Sequence, residues 1–402
     1  MEQLVEVGKN EKPVSSRLIS ANQRFMQINP KITPIYQTSV FKFEDLNELE
    51  LYFGEPGSRY LYSRNGNPNS DELAEAVTRL EKGAGAVATG SGMAAIFAAL
   101  MTYCAAGDHV LCAADIYGGS SSLLDQELSR LGITVSYVPF DELTENLAAH
   151  VQPRTRLLLC ETISNPLLRV ADLRAAAEAA HALGLKLVVD NTFATPVLTH
   201  PFEYGADLVM HSVTKYLAGH SDVTAGVVVA RTPEDAARLK QIGTLFGLTL
   251  SPMESWLAVR GLKTLRLRVE AHCRNAEAVA ELLARHPAVG EVFYPGLNSH
   301  PQHLLAANQG GALFGGMVSF RLADDTTEAV SRFMRASQRF PFAPSLAGVD
   351  SSLSYPAGTS HRALTEEQRQ KLGITAGLVR LSVGIELTTE LLADLAQALD
   401  AN

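Results

Sequence analysis

Cysteine is scarce in this sequence, and long apolar runs are absent. The four cysteines among 402 residues are widely spaced and form no C-x-x-C pair, which argues against a disulfide framework and a cysteine-based zinc site. No apolar run approaches the roughly 20 residues that a membrane-spanning helix needs. The chain also opens without the basic, apolar and small-residue succession of a secretory leader. We therefore expect a reduced, cytoplasmic protein with no membrane partner.

An excess of positive charge is missing as well. Lysine and arginine number 34 against 43 aspartates and glutamates, which gives a formal net charge of -9. The chain is not strongly basic, so we expect no nucleic-acid partner. Hydrophobic residues make up 46% of the chain, which is enough for two or three domains with buried cores. A globular protein acting on small polar molecules is the class that fits best.

The pattern along the chain changes twice, which predicts three parts. Residues 1–60 show little periodicity and predict an extended N-terminal arm. Residues 61–255 alternate apolar runs with helical stretches, which predicts a mostly parallel sheet with helices on both faces. Residues 256–402 begin with a long linker helix and continue as a smaller α/β domain. The apolar runs of the middle part are 86–89, 109–113, 135–138, 157–160, 187–190, 207–210 and 227–230.

The segments VVDNTFATP and DLVMHSVTKYLAGHSD carry the most informative side chains. Asp190 and Lys215 both come just after predicted strands, and ligands of open α/β sheets bind at the carboxyl ends of strands. A lysine amine at that position can condense with an aldehyde. A carboxylate beside it can hold a pyridine nitrogen protonated, and the hydroxyls of Ser212 and Thr214 can bind a phosphate. Taken alone, Lys215 would more often be a solvated loop residue.

A glycine-rich turn supports a different cofactor. The stretch AVATGSGMAAIFAAL reads as a strand, a turn and a helix start, a combination that presents backbone N–H groups to an anion. Gly90, Gly92 and Ala95 match G-x-G-x-x-A, and Asp115 follows at the end of the next strand. A nicotinamide-dependent oxidoreductase is therefore an alternative, although it leaves Asp190 and Lys215 without a role.

Nine short segments, taken together, resemble one known family. They are TPIYQTS (33–39), YSRNGNP (62–68), GSGMAA (90–95), DIYGG (115–119), ETISNP (161–166), VDNT (189–192), HSVTKYLAGHSD (211–222), SPMESWLAVRGLKTL (251–265) and VRLSVGIE (379–386). In order and spacing they resemble the Cys/Met-metabolism enzymes that depend on pyridoxal phosphate (PLP), the cystathionine γ-synthase, cystathionine γ-lyase and methionine γ-lyase group. The resemblance implies fold type I: a mostly parallel seven-stranded sheet domain, a smaller C-terminal α/β domain and an extended N-terminal arm.

The same resemblance assigns roles around a PLP cofactor. It implies that Lys215 carries PLP as a Schiff base and that Asp190 pairs with the ring nitrogen. Tyr117 would stack on the ring and assist Lys215 in proton transfer, and Thr192 would support the cofactor beside Asp190. The phosphate would be held by residues of one subunit and by two from a neighbouring subunit, which requires a homo-oligomer. The first set is Gly92, Met93, Ser212 and Thr214, and the second is Tyr62 and Arg64.

Three further residues would bind the amino-acid substrate under this resemblance. Arg380 would grip its α-carboxylate with the planar guanidinium fork, and Asn165 and Ser351 would orient that end of the substrate. No metal is expected, because His211 and His220 lack converging cysteine or carboxylate ligands in the sequence.

The resemblance implies γ-elimination or γ-replacement on a sulfur amino acid or an O-acyl homoserine, within trans-sulfuration. A β-lyase acting on cystathionine and a methionine γ-lyase are the near alternatives. The oligomer would be a homotetramer built from dimers that share active sites.

Three positions depart from familiar members of the family. Gly119 replaces the cysteine usual in methionine γ-lyases, and Ser122 replaces an arginine that meets a distal carboxylate in several cystathionine enzymes. Asp350 stands where γ-synthases and γ-lyases often have glutamate. These differences predict an unusual substrate preference.

Overall fold

The structure is a computed structural model that describes residues 30–55, 57, 59–362 and 364–401. Contacts divide the chain into two units, Met1–Pro34 and Ile35–Asn402. Residues 1–29 of the predicted arm lie outside the described residues, so the fold given below is that of the second unit. The domain boundaries predicted near residues 60 and 255 stay a prediction.

Seven strands form one large sheet in the order β1-β7-β6-β5-β4-β2-β3. Strands β2 to β6 pair in parallel, and β7 runs antiparallel to both of its neighbours, β6 and β1. Each predicted apolar run falls on one of these strands within about two residues, so the mostly parallel seven-stranded sheet is confirmed. The bounds are β1 Gly85–Thr89, β2 His109–Ala113, β3 Thr134–Val138, β4 Thr155–Glu161, β5 Lys186–Asp190, β6 Leu208–Ser212 and β7 Gly226–Ala230.

The large sheet is buried on both faces, which explains why its strands are continuous apolar runs. Side chains alternate between the faces along each strand. On one face, Val189 and Val209 pack against helices that include α2 (Pro68–Glu81). On the other face, Val188 and Met210 pack against helices that include α3 (Gly92–Tyr103).

The remaining helices cover the sheets or join them. None of the described helices is both long and apolar enough to cross a membrane. The bounds are α1 Leu46–Gly54, α4 Gly118–Ser122, α5 Glu142–Glu145, α6 Leu173–Ala182, α7 Thr195–Leu198, α8 Pro233–Leu245, α9 Pro252–Leu262, α10 Leu265–Arg285, α11 His303–Gly310, α12 Thr327–Ala336, α13 Glu366–Lys371 and α14 Thr388–Asp400, with a π-helical turn at Leu123–Leu128 and 3-10 turns at Leu147–His150, Pro201–Tyr204 and Pro356–Gly358.

The predicted linker helix is two helices, α9 and α10, with the break after Leu262. Gly261, in the last turn of α9, is a place of close approach, because a Cβ there would lie 2.2 Å from the carbonyl oxygen of Ala218. Glycine is therefore required by packing at this point.

A second, antiparallel sheet of four strands follows α10, in the order β10-β11-β9-β8. Its core includes Phe320 and Phe333, whose rings meet edge to face with centroids 5.5 Å apart. This sheet, with α12 and α14, is the smaller α/β region that the sequence predicts. The bounds are β8 Val289–Phe293, β9 Met317–Leu322, β10 Ser352–Ser354 and β11 Leu378–Ser382.

Candidate active site

A cavity of about 600 Å³ opens at the carboxyl ends of the parallel strands. This is the edge at which open α/β sheets bind ligands. Most of the side chains predicted for the site line it together. The predicted residues found in the lining are Gly92, Met93, Tyr117, Asn165, Asp190, Thr192, Ser212, Thr214, Lys215 and Arg380.

Lys215 lies three residues beyond the end of β6, in a turn whose first step is a hydrogen bond from its N–H to the carbonyl of Ser212 (3.1 Å). The turn carries the side chain into the cavity. Burial, with the nearby positive charge of Arg380, lowers the pKa of the Lys215 amine. A larger fraction of the amine is therefore neutral and nucleophilic than in an exposed lysine.

Asp190 is the last residue of β5, next to β6 in the sheet. Its Oδ1 accepts the N–H of Thr192 at 2.9 Å. Burial raises the pKa of the Asp190 carboxyl, although Thr192 and His211 oppose the shift. A buried carboxylate with so little compensation calls for a cationic partner in the cavity.

The start of α3 approaches the end of β6 closely enough to require a glycine. A Cβ on Gly92 would lie 2.8 Å from the Cβ of Ser212. The helix is capped by Ser91, whose hydroxyl accepts the N–H of Ala94 at 3.1 Å. The N–H of Ser212 donates to Oγ1 of Thr192 at 2.9 Å. The first turn of α3, with its positive helix end, therefore faces the cavity beside a serine hydroxyl.

Thr214 has its hydroxyl held by the backbone of Ala225. Its Oγ1 accepts the N–H of Ala225 at 3.0 Å and donates to the carbonyl of the same residue at 3.2 Å. The side chain lines the cavity with a hydroxyl whose orientation is already fixed.

Arg380 reaches the cavity from β11 of the small sheet and is only 5% exposed. Its Nη1 donates to Oδ1 of Asn165 at 2.6 Å, while its Nε has no hydrogen-bonding partner among the described residues. Asn165 precedes a cis peptide bond to Pro166. Burial lowers the pKa of Arg380 to about 10, so the guanidinium stays charged at neutral pH. A buried cation with a free donor suits a carboxylate ligand.

Tyr117 follows β2 and is 42% exposed, with its ring at the cavity wall. The two glycines after it leave no room for side chains. A Cβ on Gly119 would lie 2.4 Å from the ring of Tyr117, and one on Gly118 would lie 2.1 Å from the carbonyl oxygen of Ser360. The turn at 117–119 is therefore packed directly against the loop at 358–362, which forms another part of the cavity wall.

Two charged residues of the cavity lining, Glu161 and Arg362, were missed by the sequence analysis. Glu161 ends β4 beside Asp190, and its Oε1 accepts the N–H of Tyr117 at 2.8 Å. Burial, followed by the charge of Asp190, raises its pKa well above the usual range. Glu161 could have been predicted from its position at the end of a strand, as Asp190 was. Arg362 also lines the cavity, from a loop with no recognisable pattern.

Three predicted site residues do not line this cavity. Tyr62 is 41% exposed and Arg64 lies over its ring, 5.6 Å from the centroid, away from the cavity. Their predicted target is the cofactor of a neighbouring subunit, which a single chain does not test. Ser351 is buried, and its hydroxyl is engaged by Glu386 (2.9 Å) and by the N–H of Gly384 (2.8 Å). Its predicted contact with substrate stays a prediction.

No group of three His, Cys, Asp or Glu side chains that could hold a metal ion occurs within the part of the chain that the structure describes. His211 faces Glu81 instead, and their Nε2 and Oε1 atoms are 2.6 Å apart.

Comparison with known proteins decides the family. The model of the Cys/Met metabolism PLP-dependent enzymes matches residues 15–400. This chain belongs to that family. A cystathionine beta-lyase of Lactococcus lactis subsp. cremoris is 44% identical over 367 residues, 91% of this chain and 93% of the relative. An L-methionine gamma-lyase of Pseudomonas deceptionensis is 43% identical over 372 residues, 92% of each chain.

A solved structure supports the same conclusion. The cystathionine gamma synthase of Xanthomonas oryzae pv. oryzae, in complex with cystathionine, superposes with a TM-score of 0.85 at 42% identity, over 92% of this chain and 93% of that one. The PLP-dependent fold-type I architecture predicted from the sequence is therefore confirmed, and PLP is the cofactor of this enzyme. The nicotinamide alternative, which rested on Gly90, Gly92 and Ala95, is wrong.

Proposed function

We propose that this enzyme catalyses elimination or replacement at the side chain of a sulfur amino acid or an O-acyl homoserine, with chemistry at Cγ. One observation carries the proposal. The amine of Lys215, the carboxyl of Asp190 and the guanidinium of Arg380 all line a single cavity. These three groups meet the needs of a lysine-bound pyridine aldehyde and of a carboxylate substrate.

The residues present fit PLP. Lys215 would hold the aldehyde carbon, and Asp190 would hold the ring nitrogen and thereby gain the cation that its buried carboxyl lacks. The gap enforced at Gly92, with the N–H of Met93 and the hydroxyl of Ser212, would take the phosphate. The hydroxyl of Thr214 would join them by turning its proton from the carbonyl of Ala225 to the phosphate. When bound, PLP supplies an electron sink that stabilises negative charge at the substrate Cα.

The other groups of the cavity bind and orient the substrate. Arg380 would take the α-carboxylate, because Asn165 fixes its Nη1 side and leaves other donors free. Lys215 Nζ, with its lowered pKa, would take the Cα proton and return it at a neighbouring carbon. The phenol of Tyr117 lies at the same wall and would serve as a second proton carrier.

The choice between γ and β chemistry is tested by product analysis. Holoenzyme is incubated with cystathionine, methionine, homocysteine, cysteine and O-acyl homoserines, with and without an added thiol, and the products are identified by mass spectrometry. We expect 2-oxobutyrate or a γ-replacement product. Pyruvate from cystathionine would instead assign the enzyme as a β-lyase, the activity named for the Lactococcus relative. Methanethiol released from methionine would favour the methionine γ-lyase alternative.

The cofactor assignment has a direct test. Borohydride reduction of the holoenzyme followed by peptide mapping should find the pyridoxyl group on Lys215. Lys215→Ala should lose the visible absorbance of bound PLP and nearly all turnover, whereas Lys371→Ala, which removes an exposed lysine of α13, should keep both. A pyridoxyl group on a different lysine would overturn the assignment.

We also propose a homo-oligomer, a tetramer built from dimers, in which Tyr62 and Arg64 reach the phosphate site of a neighbouring copy. The helix that precedes them in the chain, α1, supports this, because it has no buried residue and exposes Leu46 and Phe53 by 76% and 65%. Val40 and Tyr62 of the same stretch of chain are exposed as well, and exposed apolar residues grouped in this way are typical of an interface. Mixing inactive Lys215→Ala with inactive Arg64→Ala tests the sharing, because one restored site per mixed dimer requires Arg64 to act across the interface.

We propose a cytoplasmic location because the four cysteines form no disulfide among the described residues. Cys104, Cys112, Cys160 and Cys273 are all buried free thiols, which suits a reducing compartment. Fractionation of the cells that make the protein, followed by activity assay of each fraction, tests the location.

A further inference from the structure

A buried carboxylate, Glu81, lies behind the cavity on the opposite face of the large sheet. It is the last residue of α2, and it is 0% exposed. Met210 and Ser212 of β6 line the cavity. Their neighbour His211 points to the other face, as the alternation of a strand requires, and it meets Glu81 there.

Oε1 of Glu81 accepts two hydrogen bonds from residues that are distant in sequence. Nε2 of His211 donates to it at 2.6 Å, and Nδ2 of Asn191 donates at 2.8 Å. Nδ2 of Asn191 also donates to the carbonyl of Thr199 at 3.0 Å. Its Oδ1 accepts the hydroxyl of Thr162 at 2.8 Å.

Three of these residues, Asn191, His211 and Thr162, are each the direct neighbour of a residue in the cavity. Asn191 follows Asp190 at the end of β5, and His211 precedes Ser212 at the end of β6. Thr162 follows Glu161 at the end of β4. One carboxylate therefore ties together the ends of adjacent strands whose next side chains lie where the cofactor binds.

The network is energetically costly compared with apolar side chains of the same size. Burial alone would raise the pKa of Glu81, yet the hydrogen bonds from His211 and Asn191, with His200 nearby, hold that pKa below the usual value. The carboxylate is therefore ionised at neutral pH although it has no exposure to water. A buried carboxylate gains little stability over apolar residues of the same size, because its desolvation cancels most of the attraction to its partners.

Part of the network has no compensation. Oε2 of Glu81 and Nδ1 of His211 are buried with no hydrogen-bonding partner among the described residues. Nδ1 of His200 is 3.9 Å from Oε2, too far for a hydrogen bond. The hydrogen bonds that Glu81 does accept come from residues at the ends of β5 and β6. This indicates that Glu81 helps to position those strand ends.

We propose that Glu81 is a positioning residue for the cofactor site. By accepting hydrogen bonds from Asn191 and His211 it fixes the ends of β5 and β6 relative to each other, and with them Asp190 and Ser212. The inference rests on the proposed assignment of Asp190 to the ring nitrogen and Ser212 to the phosphate.

The test compares Glu81→Leu with Glu81→Gln in the full-length protein. Leucine has a similar size and no acceptor, whereas the amide oxygen of glutamine keeps an acceptor at the position of Oε1. We expect Glu81→Leu to raise the dissociation constant of PLP by about tenfold or more and to shift the absorbance of the bound cofactor. Glu81→Gln should stay within about threefold of the wild-type dissociation constant.

Glu203→Leu is the matched control, because Glu203 is an exposed carboxylate that pairs with Lys82 at the end of the same helix. It should leave PLP binding unchanged. A folded Glu81→Leu with wild-type PLP affinity and absorbance, even with a lower melting temperature, would overturn the proposal. If Glu81→Leu does not fold, His211→Leu against His211→Gln, which keeps a donor near Nε2, decides by the same readouts.

A PLP titration of Asp190→Asn, run in parallel, distinguishes failure of the Glu81 proposal from failure of the proposed role of Asp190. Weakened PLP binding in Asp190→Asn together with unchanged binding in Glu81→Leu would remove only the role of Glu81. Unchanged binding in Asp190→Asn would remove the assignment of Asp190 itself.

Discussion

The seven-stranded sheet and the four-stranded sheet border the same cavity and contribute to it in different ways. The large sheet delivers Asp190 and Lys215 from the ends of adjacent parallel strands, together with the start of α3. The small sheet delivers Arg380 from within an antiparallel strand, with a hydrogen bond to Asn165 as its link to the large sheet's loops. Under the roles proposed above, cofactor binding would belong to the large sheet and binding of the substrate's carboxylate to the small one.

Arg380→Ala is expected to have the largest effect. It tests whether the two sheets divide cofactor binding and substrate binding between them. Because the guanidinium is the buried cation available to an α-carboxylate, we expect kcat/KM to fall by about 10²–10³-fold, mostly through KM. The absorbance of bound PLP should be retained. Steady-state kinetics and an absorbance spectrum measure both, and loss of PLP from Arg380→Ala would show that the two sheets do not divide the work in this way.

Acid stability should also differ between the two regions. His272, His300 and His361 all lie in residues 256–402, and burial, the largest cause for each, lowers the pKa of each to about 4. The unfolded chain binds these protons near pH 6.5 and the folded protein does not. The free energy of unfolding is therefore intact above pH 6.5 and falls as the pH drops toward 4, by up to about 2 kcal/mol per histidine at pH 5.

His272→Asn isolates one of these histidines. Nδ1 of His272 lies 2.6 Å from the carbonyl oxygen of Val383, and an asparagine amide keeps a donor there without titrating. Urea unfolding at pH 7 and pH 5, followed by circular dichroism, should show a smaller pH-dependent loss in the variant than in the wild type. An identical loss in both proteins would contradict the neutral buried state of His272.

A smaller effect is expected at Arg362, which lines the cavity from the loop at 358–362. The position of Ser122 lacks the arginine that several cystathionine enzymes carry, so Arg362 is the cation we expect to meet a second, distal carboxylate. Arg362→Ala should raise KM for cystathionine by about tenfold and KM for methionine by less than about twofold. Equal changes for the two substrates would exclude recognition of a distal carboxylate at this residue.

The smallest expected effect concerns the electrostatic interaction between Arg380 of the small sheet and Lys215 of the large sheet. Arg380 contributes to the lowered pKa of Lys215, so Arg380→Ala should move that pKa upward. In protein freed of PLP, the pH midpoint for acylation of Lys215, measured by mass spectrometry, should rise in the variant. An unchanged midpoint would show that burial alone sets the reactivity of the amine.

The large sheet could be predicted from the sequence because each parallel strand is a short apolar run between helices. Lys215 and Asp190 could be predicted because they follow such runs. The antiparallel pairing of β8 to β11 could not, since pairing between distant strands leaves no local pattern. Glu81 was missed for the same reason, because its partner His211 lies 130 residues away.

Ser351, which does not line the cavity, illustrates the same limit. Ser351 belongs to a segment of the expected general shape, but its hydroxyl is used by Glu386 and Gly384. A segment's resemblance places its backbone near the site, whereas the direction of one hydroxyl depends on partners more than 30 residues away. Hydrogen-bond partners of that kind are set by tertiary structure.

Gly118 offers a way to re-engineer the enzyme. Because a Cβ there would lie 2.1 Å from the backbone oxygen of Ser360, an alanine would require the turn at 117–119 and the loop at 358–362 to move apart. The substitution changes the part of the cavity wall that carries Tyr117 and Arg362, and it does not replace Lys215, Asp190 or Arg380. Libraries that begin from Gly118→Ala are thus a rational starting point for accepting bulkier, non-natural amino acids.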